Sequence, residues 1–358
     1  MLHLRGTVVL GDERESGDVW VIGGRLTFDR PAAPIDATLD GWVLPGLVDV
    51  HCHIGLAAEG AVDAAAARRQ AVADRDAGVL LVRDAGSPAD TSWVHGEEDL
   101  PRLIRAGRHL ARPKRYLRYF ARELDAVDEL PAAVGEEARR GDGWVKLVAD
   151  WIDRDLGDLA PLWPDDLLAE AVDRAHATGA RVTAHTFSTE ALDPLLDAGV
   201  DCLEHATGAT PEQVERIAAA GIPVTATLLQ VGNFDAIADQ GEPRYPRYAA
   251  RMRAMHARRY QHVRDLHDAG VPVLVGTDAG GTIGHGRIAA EAAEMVRAGI
   301  PAVDVVAAAS WRTRSWLGHP SIAEGAPADV VVYPADPRRD IAVLGTPSAV
   351  VLRGHRVA

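Results

Sequence analysis

Residues 42–55 read WVLPGLVDVHCHIG, an apolar, β-branched run that ends in two histidines two positions apart. Such a run has the composition of a strand buried on both faces. Strand alternation turns His51 and His53 to one side and Cys52 to the other. From here onward, apolar runs of strand type alternate with amphipathic, Ala-rich stretches of helix type, which predicts βα units around a parallel sheet. Eight strands are expected: the run just quoted, then VLLVRDAG (79–86), GRHLAR (107–112), GWVKLVAD (143–150), ARVTAHTF (180–187), DCLEHA (201–206), IPVTATLL (222–229) and VPVLVGTDAG (271–280). Between them lie stretches such as PDDLLAEAVDRAHATG (164–179) and TPEQVERIAAAG (210–221), which close on the glycine favoured just past a helix end. Eight such units predict an α/β fold of the (β/α)₈ TIM-barrel type, whose active sites lie at the C-terminal rim of the strands. The third unit has no clean period: Trp93 to Leu124 is rich in Arg and Tyr and reads as a strand followed by a long active-site loop.

Composition bounds the function. The chain has 358 residues, 47% hydrophobic and 25% charged, which is globular and excludes disorder, collagen and coiled coil. Its formal net charge of −14, with the basic residues scattered, argues against a nucleic-acid or anionic-membrane partner. The densest basic stretches, RPKRYLR (112–118) and RRYQHVR (258–264), read as solvated faces. Two cysteines, Cys52 and Cys202, form neither a disulfide framework nor a CxxC motif and suit a reducing cytoplasm. The N-terminal residues lack the pattern of a signal peptide, and no stretch approaches the roughly 20 apolar residues of a membrane span.

With 14 histidines in the chain, an HxH pair by itself carries little. Its weight comes from company. Lys146 in WVKLVAD, His185 in VTAHTF, His205 in CLEHA and Asp278 in VLVGTDAG each fall towards the end of a different expected strand. Taken singly, each could be a core histidine or a capping aspartate; together they point to one site at the rim, where convergent imidazoles suit a divalent metal. Cys52 is expected to pack outward, and Glu204, next to His205, to face away from the site.

HxH on the first strand, Lys on the fourth, His on the fifth and sixth and Asp on the eighth resembles the binuclear amidohydrolase superfamily. LVRDAGS (81–87), GTDAGGTIGHG (276–286) and EGAPADVVVYPADPRRDI (324–341) with AVVLRGHRV (349–357) are similar to its imidazolonepropionase-related branch, which includes Xaa-Pro dipeptidases and related metallocarboxypeptidases. The resemblance runs from the first strand to the end of the chain. It implies a CO₂-derived carbamate on Lys146 bridging two divalent ions, with zinc the expected metal. His51, His53 and Asp278 would complete one metal site and His185 with His205 the other. A bridging hydroxide would attack an amide or peptide C–N bond of a small substrate, such as an Xaa-Pro dipeptide or an N-acyl amino acid, with Asp278 as catalytic proton shuttle. A lone buried lysine would otherwise be costly. The same ligand types also serve a mononuclear deaminase or cyclic amidase, a lactonase or a phosphotriesterase, and some relatives keep the fold as non-catalytic scaffolds.

Both chain ends, residues 1–41 and 327–358, read as short strands. The family pattern pairs them, so a small discontinuous β-sandwich domain of residues 1–42 and 320–358 is expected beside a barrel of residues 43–319. The chain departs from its relatives in the loop GRHLARPKRYLRYFAREL (107–124). Substrate contacts are therefore expected from His109, Arg115, Tyr116 and Tyr119, with Arg112 and Arg122 nearby, and from His285, which either reaches the substrate or hydrogen-bonds its own loop. The expected partner is a small molecule; a homo-oligomer stays open. Trp311 and Trp316 are expected to fill core.

Overall fold

The computed structural model describes residues 1–32 and 34–358. Among the βα units, parallel pairing begins at Leu47–Cys52, which lies along Val79–Asp84; that strand in turn pairs with Arg102–Arg105. A second parallel run takes Leu110–Ala111, Trp144–Val148, Arg181–Thr186, Cys202–His205, Val224–Thr225 and Val273–Leu274 in that order. The runs touch at both ends. Ser87 N–H donates to the Gly107 carbonyl at 3.0 Å, Val50 N–H donates to the Val275 carbonyl at 3.2 Å, and Cys52 bridges Ala279 in parallel. This is a mixed α/β fold in which helices return the chain between parallel strands, as the alternation in the sequence predicts.

The third unit needs correction. Its strand lies at Arg102–Arg105, ahead of GRHLAR, which supplies only the two-residue strand Leu110–Ala111. Only Leu103 and Ile104 give Arg102–Arg105 an apolar signal, and a pair of arginines flanks them. Helix ends follow the local code more closely. Asp63 caps Ala64–Asp76 by accepting from Ala66 N–H at 2.7 Å. Thr210 and Gln213 form a reciprocal capping box on Pro211–Ala220, which ends at Gly221 with φ 64°.

The termini meet in one mixed eight-stranded sheet, where Val330–Tyr333 runs antiparallel to Ala37–Pro45, and Ala37–Pro45 runs parallel to Leu2–Val9. Alternation decides its two faces. Val330, Val332 and Val351 join Leu4, Val8 and Val43 in a core of the sheet's own, while Val331, Tyr333, Val350 and Leu352 belong to the main core with the βα units. Hydrogen bonding joins these strands as a single sheet. Among the described residues, no helix is long and apolar enough to cross a membrane.

Candidate metal centre

The parallel strands enclose a small apolar cluster that includes Val48, Val50, Leu81, Trp144 and Cys202. Above it comes a polar layer. Arg83, fully buried, donates to the Val50 carbonyl at 2.8 Å and to Glu204 Oε1 at 2.6 Å, with its guanidinium 4.6 Å from the Trp144 ring centre. Thr183 also hydrogen-bonds Glu204. The first strand carries one extra residue between Asp49 and Cys52 relative to its partner Val82–Asp84, a bulge. Bulges re-aim side chains, and here Val50, His51 and His53 all serve the interior while Cys52 packs outward into the main core.

His51 and His53 converge on one oxygen. Asp278 Oδ1 lies 3.2 Å from His51 Nε2 and 3.1 Å from His53 Nε2. His53 Nδ1 stands 2.6 Å from the Gly86 carbonyl, which can only accept, so Nδ1 carries the proton and Nε2 presents its lone pair. His51 Nδ1 likewise faces the Glu204 carboxylate at 2.7 Å. Two imidazole lone pairs and a carboxylate oxygen thus share one point, an arrangement that calls for a cation. His205 lies next to them, its ring 5.1 Å from that of His51. Its Nδ1 meets Thr227 Oγ1 at 2.6 Å and its Nε2 meets His185 Nδ1 at 3.1 Å. His185 Nε2 and Lys146 Nζ are buried with no hydrogen-bond partner. Orphaned buried donors and lone pairs of this kind are what a missing ligand leaves behind. The donor set, neutral nitrogens with hard carboxylate oxygen, fits divalent zinc or a similar ion.

Electrostatics favour the ligating forms of His53, His185 and His205, whereas the Glu204 and Asp278 carboxylates raise His51 despite its burial. Burial pushes His185 well below its usual range and His205 down to about 3, so both are neutral. Asp278 and Glu204 resist burial and stay well below the usual carboxylate range, Asp278 because of His51 and His53, Glu204 because of Arg83 and His51. Burial brings Lys146 down to about 8 despite the nearby carboxylates of Glu204 and Asp278, leaving a reactive neutral amine accessible near physiological pH.

Backbone strain marks the same place. His205, Thr227 and Asp278, at the ends of the sixth, seventh and eighth strands, have φ of 69°, 43° and 57°. Non-glycine residues adopt such values at a cost that clusters at functional sites. Buried carboxyls hold the turns: Asp150 accepts from Phe187 N–H at 2.8 Å and Ser188 N–H at 2.9 Å, and Glu291 accepts from Leu228 N–H at 2.6 Å and Leu229 N–H at 2.8 Å.

A model of the amidohydrolase family matches residues 42–357, and an uncharacterized protein of Mycobacterium tuberculosis is 53% identical over 355 residues, covering 99% of this chain and 95% of that one. The chain belongs to the amidohydrolase family. Membership sets the enzyme class, a hydrolase acting on carbon–nitrogen bonds. Amidohydrolases are typically metal-dependent, which agrees with the grouping of His51, His53 and Asp278. Among solved structures, a Xaa-Pro dipeptidase with methionine bound in its active site superposes with a TM-score of 0.83 at 21% identity, covering 99% of both chains. An A. niger ochratoxinase gives 0.81 at 20% identity, covering 99% of this chain and 95% of its own. Both share the fold of this amidohydrolase.

A cavity of about 300 Å³ opens beside Asp278, His53 and His185. Of the substrate contacts expected in this amidohydrolase, Tyr116 lines it, its ring 5.5 Å from both His109 and His185. His109 lies behind, fully buried, its ring 4.9 Å from His53 and neither nitrogen partnered. The other three are elsewhere. Arg115 ties its loop to the hairpin Asp150–Asp153 and Asp158–Pro161, donating to Asp153 at 3.0 Å and to the Ala160 carbonyl at 2.9 Å. Tyr119 is 66% exposed and is not among the cavity-lining residues. His285 meets Asp74 of the helix Ala64–Asp76 at 2.8 Å, near Cys52 on the outer side of the first strand, so it contacts neither substrate nor its own loop and instead ties that loop to the helix.

The expectation for Glu204 fails as to direction: it points inward and steadies His51. Alternation allows only one of Glu204 and His205 to face the interior, and His205 arrives by the left-handed turn instead. Trp151 and Phe187, which wall the cavity, and Arg83 were also missed; a charged residue in the apolar run VLLVRDAG was the available signal for Arg83.

Proposed function

We propose that this amidohydrolase is a two-metal enzyme cleaving an amide or peptide C–N bond in a small substrate. The observation that carries the reading is the convergence of His51 Nε2, His53 Nε2 and Asp278 Oδ1 beside the partnerless Lys146 Nζ and His185 Nε2. His51, His53 and Asp278 would hold one ion, His185 and His205 the other, and a carbamate on Lys146 would bridge them. Two divalent ions held there, zinc being the expected pair, would supply an acidified water near neutral pH and would polarise the scissile carbonyl. Asp278 is ionised and lines the cavity; it takes a proton from the attacking water and returns it to the leaving amine. Glu204 and the Gly86 carbonyl fix the tautomers and orientation of His51 and His53. Tyr116, Trp151 and Phe187 screen the site from bulk water.

The reading includes a closed eight-stranded barrel with a discontinuous domain built from both termini, supported by the hydrogen bonds that link the two parallel runs. Xaa-Pro dipeptides and N-acyl amino acids are the substrates that kinship suggests. A one-metal alternative draws on the compact trio of His51, His53 and Asp278, whose ligand atoms all lie within 4.8 Å of one another. Elemental analysis with mass spectrometry of the intact chain separates the two. Two metal equivalents and a carbamate mass on Lys146 are expected; one equivalent and an unmodified lysine would replace the two-metal reading. Screening the metal-loaded protein on dipeptides, N-acyl amino acids, anilides, lactones and phosphotriesters tests the bond cleaved.

A further inference from the structure

The wall of the cavity that packs against His185 is aromatic and apolar. Tyr116, Phe120, Trp151 and Phe187 line it together with Ile237 and Met252. Tyr116 and Trp151 meet edge to face at 4.9 Å, and Trp151 approaches Phe187 at 6.2 Å, so the rings already form a packed aromatic surface. Among the described residues that line the cavity, none is lysine or arginine. Guanidiniums that neighbour lining residues in sequence are engaged elsewhere: Arg115 with Asp153 and backbone carbonyls of the hairpin, Arg118 over the Tyr119 ring, Arg251 with Glu190 and Arg253 with Asp239 and Glu242. The polar groups beyond Asp278 and the histidines are uncharged: the amides of Gln230 and Gln240, the hydroxyls of Thr282, Tyr116 and Tyr248, and the Trp151 indole. At the entrance Leu117, 44% exposed, continues the apolar surface outward.

A carboxylate on the far side of a ring seated against this wall, away from the metal ligands, would lose its water with no lysine or arginine in the lining to pair with, the costly case for a buried ion. A neutral ring loses nothing comparable and gains stacking partners on several sides. The volume, about 300 Å³, suits a compact ligand. We infer that the substrate presents a neutral aromatic group to this wall, making the enzyme an aryl-amide hydrolase that discriminates against substrates carrying a carboxylate on that group. The inference rests on the amide-hydrolase reading for the bond that is cleaved, and on the cavity alone for the group that is bound.

Acetanilide and 4-acetamidobenzoate test it. They share one scissile acetamide and differ by a carboxylate on the ring, held away from the amide so that it cannot substitute for the carbonyl at the metal site. With the metal-loaded enzyme, kcat/KM for acetanilide should exceed that for 4-acetamidobenzoate by at least about tenfold, and calorimetric Kd values should differ in the same direction. Leu117→Arg, placed at the exposed entrance, should narrow the ratio by improving the carboxylate alone. Equal or tighter binding of 4-acetamidobenzoate by the unaltered enzyme overturns the inference. If acetanilide binds at least about tenfold more tightly while no amide of any kind is cleaved, the cavity assignment stands and the amide-hydrolase reading falls.

Discussion

His51 Nδ1 stands 2.7 Å from the Glu204 carboxylate, and both side chains are buried. Glu204 therefore does two things. It fixes the proton of His51 on Nδ1, which leaves Nε2 free to ligate, and it neutralises Arg83, 2.6 Å away on the far side. A histidine ligand, a carboxylate and a buried guanidinium thus form one line across the interior, and changing its middle member affects both ends.

Glu204→Gln should weaken divalent-metal affinity about 10–100-fold, as loss of an outer partner of a ligating histidine typically does. It should also lower the unfolding free energy of the metal-free protein by about 3–5 kcal/mol, because Arg83 stays buried without its counter-charge. Chelator competition reads the first effect and denaturant unfolding the second. A variant unchanged in both would show that Glu204 neither orients His51 nor pairs Arg83.

Asp278 has φ 57°, a left-handed conformation that asparagine tolerates better than most residues. Asp278→Asn should accordingly keep the fold, with a thermal midpoint close to wild type, while kcat falls about 10²–10⁴-fold through loss of the proton carrier. Asp278→Ala is the poorer probe, since it adds backbone strain to the chemical loss. Steady-state kinetics beside calorimetry decide the matter; an active Asn variant would remove Asp278 from proton transfer.

The sequence makes the strand-borne part of this site legible and leaves the turn-borne part obscure. His53, Lys146 and His185 follow from apolar runs that end at a rim, because strand alternation and strand length set their positions. The sequence places His205 and Asp278 in the site, but the left-handed turns that bring them there are invisible to a period-two pattern, and the same turn at His205 reverses the direction expected for Glu204. Arg102–Arg105 is not legible as a strand because two buried residues between arginines carry too weak a signal. Tyr119 and Arg115 show the limit for loops. Residue type suggested substrate contact, whereas the loop's own hydrogen bonds send Arg115 to Asp153 and leave Tyr119 in solvent.

The terminal sheet should be indispensable to the βα core. Leu352 is 1% exposed and belongs to the main core together with Val331 and Tyr333. Leu352→Ala should cost about 2–5 kcal/mol, the usual range for a buried leucine. Deleting residues 328–358, which removes the strands Val330–Tyr333 and Ala349–Leu352, should abolish cooperative unfolding altogether. Circular dichroism melts check both. A truncated chain with an unchanged melt would mean that the βα units fold without the sheet.

Lys146 gives the pH signature. Burial, opposed in part by Glu204 and Asp278, brings it from 10.5 to about 8 in the folded chain. In the unfolded chain the amine regains its ordinary value. Between pH 8 and 10.5 the unfolded state therefore holds a proton that the folded state lacks, and stability rises with pH across that window. The rise attributable to Lys146 is about 3 kcal/mol, at roughly 1.4 kcal/mol per pH unit. Below pH 8 the charge is buried in full and the penalty is constant. Metal-free Lys146→Met lacks this term, so it should be the more stable protein at pH 7.5, with the gap to wild type closing as pH approaches 10. The same deprotonation controls carbamate formation, because only the neutral amine attacks CO₂. Reactivation of metal-free enzyme by metal and bicarbonate should accelerate with pH up to about 8 and then level off. A reactivation rate independent of both pH and bicarbonate would leave Lys146 as an unmodified lysine and remove the bridge between the two metal sites.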